Sequence, residues 1–274
     1  MGKLLKADFK RLFQDKLLMV MGIIAVAFAF VTPLLYWALF SGGELLNEPM
    51  LAGLVSAKSQ FFGAFSIGNN FGLIAPVLLA IALYKDFSFG TVRNKVIAGH
   101  SRSAIFLSMF FVCAVILVGI MMIHAFVTLG ISLVFFDYQA TPLEAKDIGY
   151  FFTSLVFEVL VLLFVAALLS WLCGAMKNVG LTIVLYIAIA FALVLLGSIV
   201  QTVLQVMEMT GGDQSTIEIL RFLDKINVGT AATRIGMGTE YSVEDALYLT
   251  VPASIGIAGF LGLGLIQFNK KDLK

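Results

Sequence analysis

The sequence predicts an all-α membrane protein with six transmembrane helices, and three observations predict it. The chain is 60% hydrophobic and only 13% charged, with a mean hydropathy of +1.01, whereas a water-facing domain carries about 25% charged residues. Six apolar segments, near 17–40, 60–84, 104–136, 148–174, 179–205 and 246–268, are each long enough to cross about 30 Å of hydrocarbon at about 1.5 Å per residue. The basic residues are segregated. With the N-terminus placed in the cytoplasm, 13 of the 18 Lys and Arg residues fall on the inner side, as expected for positively charged inner loops. An even number of spans keeps both basic termini cytoplasmic. Residues 1–274 therefore read as a single transmembrane domain with both termini cytoplasmic.

Residues 1–16 precede the first span. Leu5, Phe9, Leu12 and Phe13 share one helical face, with Lys3, Lys6 and Lys10 on others; this predicts an amphipathic helix lying in the lipid interface. The first apolar run, from Leu17 to Phe40, is longer than the roughly 7–15 residues of a signal-peptide core, so a retained span is expected. Residues 41–58 carry Gly42-Gly43, Asn47 and Pro49 and read as irregular. The third span exceeds a simple crossing and is expected to tilt or to protrude. Thr141-Pro142-Leu143-Glu144 has the signature of a helix start. The outer loop 206–245 holds a capping-box candidate at Ser215–Glu218, which opens an amphipathic stretch. A second, Ser242–Asp245, opens the sixth span. The connection 85–103 is too short for an independent core. Cys113 and Cys173 sit in apolar runs, outside any CxxC or His/Cys cluster. They read as buried small hydrophobes, and no metal site is expected.

The most informative stretch is the connection between spans two and three. Asp86, Gly90, Thr91, Arg93, Asn94, Lys95, His100, Ser101 and Arg102 alternate there with Phe87, Phe89, Val92, Val96 and Ile97. Val92 and Val96 at i, i+4 predict a short helix with an apolar strip and a basic strip, suited to seating in a groove of a soluble partner. A generic positive loop that only fixes topology has the same composition.

This segment resembles the signature of ABC-2 type permeases: an acidic residue (Asp86), Gly90-Thr91, basic residues (Arg93, Lys95) and a Ser101-Arg102 element leading into the third span. Asp86 stands where Glu is more usual, and Gly99-His100 replaces a common proline. The six-span plan and the basic N-terminal helix are similar too. The resemblance implies ABC-2, type V exporter-like architecture, with a coupling loop at 85–103 that contacts a separate ABC ATPase. It also implies a second permease chain, identical or related, and export of a hydrophobic or amphipathic compound such as a peptide or lipid-like toxin. ATP and Mg would be held by the ATPase, and no cofactor by this chain, which lacks a Gly-x-x-x-x-Gly-Lys-Ser/Thr phosphate loop. The lipid bilayer is an expected partner, and nucleic acid is not.

Two ionisable residues fall inside spans, His124 and Glu158. A charge at mid-bilayer costs about 2.5–3.5 kcal/mol, so both are expected to face protein, either as a polar spot on a substrate path or as a tie between helices. They lie at similar depth, and a contact between them is possible. Asn69, Asn70, Asn178, Gln201 and Gln205 are ambiguous in the same way. Gly256, Gly259, Gly262 and Gly264 read as close helix packing. An ATP-independent channel or sensory subunit is the alternative function. An intramembrane protease is disfavoured, because neither a Gly-x-Ser-Gly nor a His-Glu-x-x-His motif is present.

Overall fold

The computed structural model describes residues 1–40, 56–66, 70–135, 145–235 and 242–271. The described chain is helical, with no strand. It runs α1 (Gly2–Phe13), α2 (Lys16–Phe40), α3 (Ala57–Phe65), α4 (Asn70–Ser88), α5 (Thr91–Ile97), α6 (Arg102–Phe135), α7 (Ala145–Ala175), α8 (Val179–Thr210), α9 (Gln214–Ile226), α10 (Val228–Ile235) and α11 (Val243–Lys270). Six of these, α2, α4, α6, α7, α8 and α11, are long and apolar enough to cross a membrane. Below, the face carrying α1 and α5 is termed the basic face, and the opposite one the far face.

The helix starts follow from local chemistry. Asp15 accepts a hydrogen bond from the Leu17 backbone N–H at 2.9 Å, which separates α1 from α2 and satisfies an orphan donor. Asn178 caps α8 through the Leu181 N–H at 2.8 Å. Ser242 and Asp245 form the predicted reciprocal capping box on α11. The cap of α9 differs from expectation. It is Asp213, which accepts from the Thr216 N–H, rather than Ser215; a carboxylate is the stronger acceptor at a helix N-terminus. The start signal at Thr141 lies outside the described residues.

The second apolar segment is not one span. Helix α3 ends at Phe65, Ser66 is extended (φ −71°, ψ 129°), and α4 begins only at Asn70. Helix α3 is nine residues long, about 13 Å, too short to cross. It packs on the far-face half of α6 and α7, where Phe61 and Phe65 meet Phe126 and Phe151. At its other end α4 runs on to Ser88, so Lys85 and Asp86 belong to its last turn.

Helices α6 and α7 form the centre. Two-thirds (67%) of the most apolar stretch of each is buried, against 22% in α2, 11% in α8 and 17% in α11. Lipid tails are as apolar as leucine, so association in a bilayer depends on shape and hydrogen bonds. The shape is visible on α11. The ring of Phe164 lies where a Cβ on Gly256 would sit, and that of Phe106 where one on Gly264 would sit. Gly259 and Gly262 meet nothing, so only half of the glycine series serves packing. Inter-helix hydrogen bonds add to it: Trp171 Nε1 donates to Gln267 at 3.0 Å, and Asn227 Nδ2 to the Leu193 carbonyl at 2.9 Å.

Candidate functional site

The basic face is built around α5. Gly90 adopts a left-handed conformation (φ 67°) and turns the chain out of α4. Helix α5 ends in a Schellman motif: His100 N–H bonds the Lys95 carbonyl and Gly99 N–H the Val96 carbonyl, with Gly99 at φ 87°. Both turns need positive φ, which glycine adopts without penalty. The Ser101 hydroxyl then accepts from the Ala104 N–H at 3.2 Å and starts α6. The segment is thus a seven-residue helix hung between two glycine hinges.

Its inward side is tied by a chain of charges. Arg11 Nη2 donates to Asp86 Oδ2 at 2.8 Å, and Lys95 Nζ reaches the same oxygen at 3.1 Å. Lys95 also contacts Asp8 Oδ1 at 2.7 Å, and Asp8 Oδ2 accepts from Ser108 Oγ at 2.6 Å. One network therefore joins α1, α4, α5 and α6. Beside it Lys85 binds Asp15 at 2.7 Å. Partial burial pushes the Asp15 carboxyl up, but the Lys85 and Leu17 hydrogen bonds, with the charges of Lys85 and Arg11, hold it below its ordinary value. Arg102 turns the other way, donating to the Asn269 and Lys271 carbonyls at 2.9 and 2.7 Å. It satisfies orphan carbonyls at the end of α11. Lys271 does the same for Gly174 and Met176 at the end of α7, and burial pushes its ammonium pKa down.

The sequence-selected residues therefore divide. Asp86, Lys95 and Arg102 hold the platform together from within. Gly90 starts α5, Thr91 is its first residue, and both are half-buried, as is His100. Arg93 and Asn94 are exposed. Two apolar side chains share that outer surface: Phe89 is 76% and Ile97 74% exposed. The apolar strip expected from Val92 and Val96 points inward, with Val92 buried and Val96 packed on the core. The sequence reading missed Phe89 and Ile97 as tips, and Asp8, Arg11 and Ser108 as ties. The signal for Asp8 is its place between Leu4 and Leu12. These three, at i, i+4 and i+8, are the buried row of α1, beside the Leu5, Phe9 and Phe13 strip, which is less buried. Phe13 is exposed.

The intramembrane residues are not brought together. His124 Nδ1 lies 3.0 Å from the Ala25 carbonyl on α2, with its ring 4.8 Å from that of Phe71, so it is a tie between helices. Glu158 is buried on α7, and among the described residues neither carboxyl oxygen has a hydrogen-bond partner. Asn70 opens α4, and Asn69 lies outside the described residues.

Residues 59–274 match the family described as Protein of unknown function (DUF2705). The chain belongs to this family. The DUF2705 match begins within α3 and takes in α5, Glu158 and every later element, while α1 and α2 precede it. No curated protein matches the chain.

Proposed function

We propose that the chain is the transmembrane subunit of an ABC-2 type exporter and that α5 docks a separate ATPase on the cytoplasmic side. The observation that carries this reading is the two-sided build of α5. Its inner side is pinned to three other helices by the Arg11–Asp86–Lys95–Asp8–Ser108 network, and the outer surface at and before it presents Phe89, Arg93, Asn94 and Ile97. Apolar tips flanked by a cation and an amide suit a groove in a soluble protein, where an aromatic or aliphatic anchor carries most of the binding energy. A positive loop serving topology alone needs neither exposed anchors nor a rigid mount. A force applied to α5 passes into α1, α4 and α6, so the same network can carry an ATP-driven movement into the spans. The cargo in this reading is hydrophobic or amphipathic, and two permease chains share the ATPase pair.

The experiment is co-purification with an ABC ATPase, which this reading expects to be encoded beside the chain. Arg93→Glu with Ile97→Asp is expected to abolish the complex while membrane insertion is kept. Equal recovery of ATPase on wild type and variant would remove the docking role. Arg102 is unsuited to this test, because its reversal would strip the α11 carbonyls of their donor.

A further inference from the structure

A cavity of about 200 Å³ lies between α4, α7, α8 and α10. Leu73, Val161, Val165, Ala190 and Ala232 contribute to its wall, and Tyr186 is the one polar side chain lining it. It is larger than the engineered cavity of about 150 Å³ that holds benzene and smaller than the roughly 300 Å³ at which drug-sized sites begin. It therefore suits one ring or a short branched chain, not a whole lipid. Phe191 and Val194 line it and are also exposed on the bundle perimeter, so it opens toward the lipid through α8.

A second, independent observation lies beside it. Ser154, Glu158, Val161, Val165 and Leu168 form one buried stripe of α7, and the last three line the cavity. Glu158 stands three residues before Val161, about 4.5 Å along the axis. Its two oxygens and the Ser154 hydroxyl are buried without hydrogen-bond partners. A buried polar group left unsatisfied asks for an explanation. Among the described residues, the basic side chains in the central and far-face parts of the helices packed on α7 are engaged elsewhere: Arg234 on Asp224, Lys58 on Asp147 and the His124 ring on the Ala25 carbonyl. A hard metal ion would need six or more oxygen ligands, and the described residues contain no metal-binding group of His, Cys, Asp and Glu. An organic cation needs one carboxylate and an apolar berth; the cavity is the berth, and Glu158, outside its lining, stands about one helical turn away on α7. Aromatic rings along the wall add to the attraction for a cation.

We propose that this cavity is a binding site for a lipophilic amine, its apolar group seated among α4, α7, α8 and α10 and its ammonium on the Glu158 carboxylate. Binding stands on the cavity alone; that such an amine is the exported cargo rests on the exporter reading above. The spacing selects amines whose charge lies a few methylenes from the apolar group.

The test uses the full chain in lipid nanodiscs without any ATPase, so a negative result leaves the docking reading untouched. Binding of phenylbutylamine is compared with that of phenylbutanol, which has the same ring and chain but no charge. The amine is expected to bind at least about tenfold more tightly. Glu158→Gln is expected to remove that preference and keep alcohol binding, while Ala190→Phe, which fills the cavity, weakens both ligands. Equal affinity of amine and alcohol on wild type would overturn the proposal, as would a preference that survives Glu158→Gln or undiminished binding to Ala190→Phe. If Ala190→Phe fails to insert, the Gln variant, nearly isosteric with Glu, decides the matter.

Discussion

Two buried carboxylates, Asp86 at the basic face and Glu158 inside α7, have nearly equal exposure, 4% and 1%, and opposite surroundings. Asp86 is met by Arg11 and Lys95, which belong to other helices. Among the described residues Glu158 is met by none. The first charge is spent on holding α1, α4 and α5 in one arrangement. The Glu158 carboxyl is left without a partner among the described residues, about one helical turn along α7 from a cavity that reaches the lipid. The contrast separates architecture from readiness to bind. A carboxyl group that is paired within the fold organises it, and one that is not invites an occupant.

The comparison can be broken most forcefully at Asp86. Asp86→Ala leaves two cations in place around a lost partner and is expected to cost about 3–5 kcal/mol, read as a fall in the unfolding midpoint in detergent. A loss too small to measure would mean that the network does not mount α5. Next comes shape. Gly264→Val places a side chain where the Phe106 ring lies, and is expected to cost about 1–3 kcal/mol by forcing α11 from α6. Gly90→Ala meets no atom within 4 Å but keeps φ at 67°, so it is expected to lose about 1–2 kcal/mol to backbone strain alone. Glu158→Gln breaks no hydrogen bond within the fold and is expected to stay within about 1 kcal/mol of wild type. A large destabilisation there would erase the distinction between the two carboxylates.

The smallest effect concerns acid. The folded Asp15 carboxyl is held below its ordinary value by Lys85 and Leu17 despite the opposing effect of burial. Its contribution is complete above the unfolded value of about 3.9 and is lost as pH falls through the lower folded value. Asp15→Asn is therefore expected to flatten the acid limb of a stability–pH curve and to leave the curve above that limb parallel to wild type.

Much of this architecture is written in hydropathy. Five of the six spans match their apolar runs to within a few residues, because length and lipid thickness leave little choice. The break between α3 and α4 escaped for a physical reason. Phe61, Phe62 and Phe65 are apolar enough to merge with the run after Asn70, and only their packing on α6 and α7 separates a short helix from a span. The protein-facing row of α1 escaped because amphipathic periodicity ranks apolar residues, whereas that row contains Asp8, made tolerable by Lys95 and Ser108. Pairing cannot be read from one segment. Nothing in the neighbourhood of Glu158 in sequence says that it lacks a partner, and nothing near Asp86 names Arg11, 75 residues away. The motif residues around α5 were visible as a group, but their division into inward ties and outward contacts appears only when α1 is folded against them.

The account turns on the outer surface of α5. A photoreactive amino acid placed at Ile97 in living cells is predicted to capture an ATP-binding-cassette ATPase, identified by mass spectrometry, whereas the same probe at the inward Val92 captures none. No ATPase adduct from Ile97, or equal yields from both positions, would contradict it.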